Sequence, residues 1–386
     1  MNQTLRLVKS LRKLRWKMLP PRRANVLLYF LTGSDVIKPY FAKNELRILD
    51  LREREVNIFV ALLCLIDRDL TARNYAIRYI SIVKPKLILT FIDNFPPFFQ
   101  LKNRFPEIQT MLIQNGIRSE RGDLFGKLLD SLKLEGNHVD IMFVFGKAVG
   151  AIYHKYISGE IMPIGSFKNN LVPISATKSQ SIAYISTYRP GISKDFVVPD
   201  SSIDNPVTYQ QITARRERAI IFIAEYCKKY QKQFVIVGKD EDFDEEKIYY
   251  QRLLKNYSWK LEPRLTSMSS YEVLNKSEIV VFTSSTLGYE ALARGKKTAA
   301  FLIDAELLDA QALRFGWPAV VADEGKFWTH QLEEKRFAEI LDYLTSVSQS
   351  DWEQTCSETM SDIITYDANN SQFIAMVESL RLAWQH

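Results

Sequence analysis

From Asn25 onward the chain alternates short apolar runs rich in β-branched residues with longer segments of helical spacing. This alternation is typical of parallel α/β sheets, in which a helix connects each strand to the next. The predicted strands are Val26–Leu31, Leu87–Ile92, Ile141–Phe145, Ile182–Ser186, Phe234–Val237, Ile279–Phe282 and Thr298–Leu302. The predicted helices are Asn57–Asp67, Ala72–Val83, Thr213–Tyr230 and Tyr289–Arg294, and residues 337–386 are expected to be largely helical.

The length of 386 residues favours two domains, because single hydrophobic cores stop growing at about 250–300 residues. The stretch Met162–Lys178 is rich in Gly, Pro, Ser and Asn, so we predict an interdomain connection with the boundary near Val172. Residues 190–212 are also irregular and predict a loop at the mouth of a cleft. The expected regions are a basic helix (1–24), an N-terminal Rossmann-like domain (25–171), a C-terminal Rossmann-like domain (172–345) and C-terminal helices (346–386).

The net charge of +6 is a property of the N-terminus, because residues 1–23 hold eight bases and no acid. Leu7, Leu11, Leu14 and Met18 follow four-three-four spacing there, which predicts a basic amphipathic helix ended by Pro20-Pro21. Such a helix binds an anionic membrane surface through residues 1–20, or packs on its own domain. A nucleic-acid arm is the third interpretation, but no RNA- or DNA-binding module follows it, so we expect no nucleic-acid partner.

Several classes of protein are disfavoured by what the sequence lacks. Its longest apolar run, Ile58–Ile66, is too short to span a bilayer, and the basic N-terminus has no signal-peptide core. The three cysteines are scattered and the four histidines show no ligand spacing, so neither disulfides nor a zinc site are expected. No hydrolase elbow, Walker loop or zinc-protease motif is present. We expect a cytoplasmic protein without a cofactor, peripheral on the inner face of the inner membrane.

The segment Val280–Ala291 carries the most informative binding motif, a buried strand that leads through hydroxyl residues into a helix. Free backbone N–H groups and the positive end of the dipole make such a helix start an anion site. The alternative is plain capping of the helix, with Glu at the N3 position. The candidates are Ser284, Ser285 and Thr286 as phosphate-binding hydroxyls, Gly288 for close approach of the backbone to phosphate, and Glu290 for ribose hydroxyls.

Two other strand ends of the second half also carry polar residues. Ser186 and Arg189 follow the strand that opens the second domain, and the arginine fork can hold a phosphate or a carboxylate, unless this is a surface turn. Lys239 and Asp240 follow Phe234–Val237 and are expected at the cleft. We do not read Asp240-Glu241-Asp242 as a metal motif, because the acidic run continues and resembles a solvated helix start.

The first half offers weaker candidates. Asp93 ends a strand and is a candidate for a base or for orienting an acceptor hydroxyl, but helix capping explains it more simply. Gln114, Asn115 and Arg118 lie around an Asn-Gly turn at another strand end and are candidates for binding the acceptor or donor sugar. Glu160 lies just before the interdomain connection and is a possible catalytic group, with an exposed surface glutamate as the alternative.

Together these segments resemble a known group of proteins. Thr90–Asn94, Ile113–Arg118, Phe143–Gly146, Ile164–Asn170 and Ser284–Gly295 resemble bacterial surface-carbohydrate biosynthesis proteins, the GT-B-like transferases of lipopolysaccharide and capsule clusters. The resemblance covers roughly residues 85–300 and implies the GT-B fold, two Rossmann-like domains facing across a cleft. It also adds Lys168, within Ile164–Asn170, to the candidate sugar-binding residues.

Within that group the chain is similar to CMP-Kdo-dependent, retaining β-Kdo transferases. This resemblance implies a CMP-activated ulosonic acid donor, transferred without a metal, with its phosphate at Ser284–Thr286. It suggests Glu160 and Asp240 as acidic groups of the reaction centre, while Arg118 and Arg189 are expected to bind the donor carboxylate. The alternatives are a UDP-sugar, GDP-sugar or CDP-glycerol donor, and a non-catalytic scaffold on the membrane surface.

Overall fold

The computed structural model describes residues 15–51, 55–120, 123–125, 136–175, 177, 179–202, 204–239 and 243–385. It contains two six-stranded parallel sheets, one in each half of the chain, and a short two-stranded ribbon. The strands are β1 (Arg15–Lys17), β2 (Val26–Tyr29), β3 (Leu46–Leu49), β4 (Glu55–Asn57), β5 (Leu87–Thr90), β6 (Gln109–Ile113), β7 (His138–Val144), β8 (Ser158–Pro163), β9 (Ser181–Ile185), β10 (Gln233–Val237), β11 (Trp259–Glu262), β12 (Ile279–Phe282), β13 (Thr298–Phe301) and β14 (Trp328–Thr329).

Helices cover both sheets and connect their strands, as parallel pairing requires. They are α1 (Ser34–Ile37), α2 (Ile58–Ile66), α3 (Ala72–Val83), α4 (Pro96–Phe99), α5 (Lys147–Tyr156), α6 (Phe167–Leu171), α7 (Tyr209–Lys229), α8 (Asp244–Leu253), α9 (Ser269–Lys276), α10 (Thr286–Ala293), α11 (Asp304–Leu308), α12 (Glu334–Ser346), α13 (Gln349–Met360) and α14 (Ser371–Ala383). No helix of the described residues is long and apolar enough to cross a membrane.

The strand order is β3-β2-β5-β6-β7-β8 in the first sheet and β11-β10-β9-β12-β13-β14 in the second. In the second sheet the chain adds β10 and β11 on one side of β9 and then returns to add β12 on the other. The order therefore reverses between β9 and β12, and a crevice opens at the carboxyl ends of these two strands. The predicted α/β fold of two Rossmann-like domains is confirmed.

All seven predicted strands form, because each is a continuous apolar run that both faces of a parallel sheet can bury. Strands β3, β8, β11 and β14 were missed, as were β1 and β4 of the two-stranded ribbon. They occupy sheet edges, and their polar residues hide the apolar signal, as in Trp259–Glu262, where no residue is fully buried. The helix α7 begins at Tyr209, inside the stretch predicted to be irregular, where Thr208 and Gln211 form a reciprocal capping box.

The predicted N-terminal helix is wrong where the structure describes it. Arg15–Lys17 is an extended strand that pairs in parallel with Glu55–Asn57, so no helix runs on to Pro20-Pro21. The remaining part of that prediction, residues 1–14, lies outside the described residues. The helical spacing of apolar residues extends to Met18, but the backbone of Arg15–Lys17 pairs with β4 and does not form a helix.

The connection between the sheets is more ordered than its composition indicated. Met162 and Pro163 complete β8, and Phe167–Leu171 is a helix capped by the Ser166 side chain. Gly165 adopts a φ of 78° and lies against the backbone of Thr365, where a Cβ atom would meet the Thr365 carbonyl oxygen at 2.0 Å. The single glycine of this segment therefore reflects a close approach of two chain segments, not a loose linker.

The C-terminal helices divide between the two lobes. On α13, the Trp352 indole donates to the Gly295 carbonyl at 2.9 Å, so this helix packs on the second lobe. The last helix, α14, returns to the first lobe, where Phe373 makes edge contacts with Phe143 and Phe167. Arg381 of the same helix pairs with Glu45 at 2.8 Å.

The return of α14 generates a stability prediction. Phe373→Ala should lower the free energy of unfolding by about 3–5 kcal/mol, because the ring is fully buried among aromatic neighbours. Leu382→Ala, on the same helix but 63% exposed, should change it by less than about 0.5 kcal/mol. Urea unfolding followed by circular dichroism measures both, and equal losses would contradict the packing of α14 on the first lobe.

Candidate active site

A cleft of about 590 Å³ lies between the lobes, at the crevice where the second sheet reverses its strand order. Ser186 and Thr187 follow β9 and line one side, and Thr283 and Ser284 follow β12 and line the other. Tyr184 and Thr283 share a hydrogen bond of 3.0 Å across these strands. The volume lies within the range of about 300–1,000 Å³ that is usual for small-molecule sites.

The cleft is strongly cationic. Its described lining includes seven basic residues and only two acidic ones, Glu290 and Asp304. The basic residues are Arg118, Lys168, Arg189, Arg216, Lys239, Arg264 and Arg314. Clustered like charges around a concave surface raise the local concentration of anions. The excess of positive charge therefore favours a ligand with more than one negative charge.

The hydroxyl turn, residues Thr283–Thr286, is one part of the cleft where the lobes touch. Ser285 caps α10 by accepting from the Leu287 N–H at 3.2 Å, and Thr286 Oγ1 accepts from the Ile117 N–H of the first lobe at 3.1 Å. Ser284 is exposed in the cleft, and its hydroxyl makes no hydrogen bond with the described residues. Ser284 and the start of α10 are thus placed for an anion, while Ser285 and Thr286 already serve structural roles.

Glu290 does not have the predicted geometry of a ribose-binding or capping residue. It is the fifth residue of α10, beyond the N3 position, and it is 5% exposed. One carboxylate oxygen accepts from Ser166 and the other from the Tyr271 hydroxyl at 3.0 Å. Burial raises the pKa of Glu290, and the hydrogen bonds from Ser166 and Tyr271 partly offset this rise. Glu290 therefore joins the two lobes at the floor of the cleft.

Gly288 also serves packing and does not face a phosphate. A Cβ atom at this position would lie 2.1 Å from the Phe282 ring, so the absence of a side chain lets α10 pack closely on β12. The prediction of a close phosphate approach through Gly288 is wrong. Tyr289, which follows it, is buried, and its hydroxyl oxygen accepts a hydrogen bond from the Gly316 N–H at 3.1 Å.

Asp93 is fully buried beneath the cleft and is held by two partners. The Arg118 guanidinium binds it through Nε at 2.8 Å and through Nη2, and the Tyr153 hydroxyl donates to it at 2.7 Å. Burial opposes the charge of Arg118, but the hydrogen bonds and charge of Asp93 outweigh it and raise the pKa of Arg118. Asp93 is thus the counter-ion of Arg118 and does not line the cleft.

The basic residues of the cleft differ in how far their charge is neutralised. Arg216 is paired with Asp304, and Arg314 is paired with Asp323 at the rim. Among the described residues, Arg189 and Arg264 have no carboxylate within ion-pair distance. Both guanidiniums line the cleft and are available for a ligand, as is Lys168, which also has no ion pair among the described residues.

The remaining predictions for the second lobe have mixed outcomes. Ser186 lines the cleft but is 4% exposed, and its hydroxyl donates to Glu246 while accepting from Tyr250 at 2.9 Å. The Lys239 N–H donates to the same Glu246 carboxylate at 3.1 Å, which holds this strand end against α8. Asp240 lies outside the described residues. No group of three or more His, Cys, Asp or Glu that could hold a metal occurs within the described ranges.

In the first lobe, Asn115 and Lys168 line the cleft as predicted, but Gln114 and Glu160 do not. Gln114 is buried, donates to the Gly116 carbonyl at 2.9 Å and accepts from the Phe145 N–H at 2.8 Å. Its amide therefore joins two strand ends and is not available to a sugar. Glu160 is exposed in the middle of β8, an edge strand, so the structure does not bring it to the other candidate residues of the cleft.

Sequence reasoning missed several cleft residues. Arg264 follows β11, a strand that was not predicted, and Arg216 projects from the middle of α7. Arg314 and Trp317 lie in the irregular segment after α11. The sequence signal for Arg264 was weak: it lies two residues after an apolar-polar alternation, Trp259–Glu262, which resembled an ordinary surface segment.

Solved structures with the same architecture identify the fold as GT-B. The wall teichoic acid polymerase TagF matches with a TM-score of 0.51 at 11% identity, over 95% of this chain and 90% of that one. A structure titled "putative UDP-N-acetylglucosamine 2-epimerase from Listeria monocytogenes" matches with a TM-score of 0.55 at 12% identity, over 94% of this chain and 97% of that one. At these identities the likeness shows the fold alone.

The family is shown by the sequence. Residues 111–381, more than two thirds of the chain, match the family described as "putative O-antigen biosynthesis protein", and the chain belongs to this family. The expected resemblance to surface-carbohydrate proteins of GT-B fold is confirmed at this level. A search of curated proteins gave no match.

The buried pair of Asp93 and Arg118 generates the prediction for this site. Asp93→Asn should lower the free energy of unfolding by about 3–5 kcal/mol, because it removes the main counter-ion of a largely buried guanidinium and leaves only the more distant Asp123 carboxylate at 3.8 Å. Asp309→Asn is the control, since Asp309 is exposed and its left-handed backbone suits asparagine, so about 0.5 kcal/mol or less should be lost. Chemical unfolding measures both. An Asp93→Asn protein of unchanged stability would contradict the counter-ion role.

Proposed function

We propose that this protein is a glycosyltransferase that moves a sugar from a nucleotide-activated donor, bound in the cleft, to a surface-polysaccharide or lipid-linked acceptor. The observation that carries the proposal is the cationic cleft at the strand-order reversal, with seven basic residues against two acidic ones. Membership of an O-antigen biosynthesis family supports a role in surface glycan synthesis. The GT-B fold supports a ligand at this crevice.

The donor that we favour is a CMP-activated ulosonic acid, Kdo or a related sugar. Such a donor carries a phosphate and a separate carboxylate, and the cleft offers two suitable places. The exposed Ser284 and the start of α10 suit the phosphate. Arg189 and Arg264, which have no carboxylate partner among the described residues, suit the carboxylate. Arg118, the first-lobe candidate for the carboxylate, is less suitable because its guanidinium is already bound to the Asp93 carboxylate.

A second donor class is a UDP-sugar, a GDP-sugar or CDP-glycerol, whose diphosphate also matches the excess of positive charge in the cleft. Arginine and lysine side chains can neutralise the negative charge of either class of donor. We therefore propose that the reaction needs no metal ion. Addition of a chelator should then leave the rate of sugar transfer unchanged. Binding of an anionic membrane by residues 1–20, at the inner face of the inner membrane, also stays a proposal.

A panel of nucleotides tests the donor class. CMP should raise the melting temperature of the full chain more than CDP, UDP or GDP at equal concentration, because a ligand selective for the folded state stabilises it. A larger rise in melting temperature with UDP, GDP or CDP than with CMP would favour the second donor class instead. The absence of any shift would favour a non-catalytic scaffold and contradict an active site in the cleft.

Substitutions of the unpaired arginines test the site itself. Arg264→Met and Arg189→Met should each weaken binding of the selected nucleotide sugar by about tenfold to hundredfold, the loss of about 1.5–3 kcal/mol expected for a charged hydrogen bond. Arg252→Met is the matched control, because Arg252 is an exposed arginine of α8 outside the cleft lining. Isothermal calorimetry measures all three. Equal affinities would rule out the proposed anion contacts.

A further inference from the structure

The helix α2 has an unusual surface for a helix that lies on the outside of a domain. Its nine residues, Ile58–Ile66, include no charged residue and no side chain that forms strong hydrogen bonds. Val60 and Cys64 are buried against the lobe. The opposite side stays exposed and apolar, and it consists of Phe59 (39% exposed), Leu62 (52%), Leu65 (54%) and Ile66 (76%). We call these four residues the α2 apolar face.

The spacing of the α2 apolar face places its residues on one side of the helix. Positions 59, 62, 65 and 66 fall within about 120° of one another at the α-helical repeat. A surface helix of a domain in water ordinarily turns polar residues to this side. Large exposed apolar patches instead mark a surface that contacts a membrane or another protein.

Neighbouring segments extend the patch at both ends of the helix. Before α2, the exposed residues Trp16, Met18 and Leu19 lie on or just after β1. Trp16 is paired with Val56, and the Leu19 carbonyl accepts from the side chain of Asn57, the residue that caps α2. Leu70, which is 68% exposed, follows the other end. These segments are therefore fixed next to the helix.

The charges around the patch are predominantly positive. Exposed Arg15 and Lys17 lie on β1, which pairs with the strand just before the helix, and exposed Arg22 and Arg23 follow β1 in the chain. Exposed Arg68 and Arg73 follow the end of the helix. Of the described acids nearby, Glu55 is paired with Lys17 at 3.5 Å and Asp67 is paired with Arg78, while Asp69 accepts from the Thr71 N–H. The preceding residues 1–14 add four more bases and no acid.

We propose that the α2 apolar face docks on an anionic lipid bilayer, with the helix parallel to the membrane plane and its basic neighbours on the lipid phosphates. An apolar surface surrounded by Lys and Arg complements both layers of such an interface. A nine-residue helix is too short to cross the hydrocarbon core, which takes about 20 residues. A second copy of this chain, or the chain's own basic residues 1–14, would bring like charges together on this surface. The docking site is separate from the cleft and does not depend on the donor.

Vesicle sedimentation of the full chain tests the proposal. The variant Leu62→Gln/Leu65→Gln/Ile66→Gln removes most of the α2 apolar face at exposed helical positions, so the fold should be kept. The control Ile248→Gln/Leu382→Gln changes two exposed apolar residues on α8 and α14. The vesicles are phosphatidylcholine alone, and phosphatidylcholine mixed with phosphatidylglycerol. A further variant that begins at Arg15 lacks residues 1–14 and measures how much those residues contribute to vesicle binding.

We expect the original chain and the control to bind the phosphatidylglycerol vesicles more tightly than phosphatidylcholine alone. The triple variant should bind them at least about tenfold more weakly, since interfacial binding scales with buried apolar area. The truncated protein should keep binding that depends on the α2 apolar face. Equal binding by the triple variant and the control would overturn the proposal. So would loss of all binding on truncation, or a concentration-dependent dimer that the triple variant abolishes while lipid binding persists.

Discussion

The buried arginine at the end of α10 is the contact on which the arrangement of the two lobes depends. Arg294 is 3% exposed and donates to Asn169 Oδ1 at 2.7 Å, to the Val172 carbonyl at 3.0 Å and to Asn275 Oδ1 at 3.1 Å. It thus ties α10 to the segment that passes between the lobes. Burial lowers the pKa of Arg294, so the surrounding oxygen acceptors are needed to hold a guanidinium there. One helix turn away, Glu290 accepts from Ser166 and strengthens the same connection.

This anchoring sets the geometry of the cleft. The end of α10 is fixed to the interlobe segment, so its start, the hydroxyl turn, is held against Ile117 of the first lobe. The positive end of the helix therefore faces a space lined by arginine and lysine from both lobes. A rigid arrangement of cations costs little reorganisation when an anion arrives, which is what binding a nucleotide-activated donor requires. The α2 apolar face lies apart from this cleft, on the first lobe.

The fold could be predicted from the sequence because parallel strands are buried on both faces and leave continuous apolar runs. Strands at the sheet edges do not give this signal. Because β11 was not predicted for this reason, the place of Arg264 at its end was not predicted either. The position of the hydroxyl turn at a strand end was also predictable, and Ser284 keeps its expected place. Individual roles were not predictable, because they depend on partners far along the chain. Glu290 meets Ser166, Gly288 meets Phe282, and Asp93 meets Arg118, so residues that resembled ligand contacts stabilise the protein instead.

The central claim is that the cleft holds the donor with its phosphate at the start of α10. A crystal structure of the protein with a non-transferable CMP-sugar analogue tests this most directly. The account predicts the nucleotide phosphate within hydrogen-bond distance of Ser284 and the first N–H groups of α10, with the sugar carboxylate beside Arg189 or Arg264. Clear density for the analogue on an outer face, away from the crevice between β9 and β12, would contradict it.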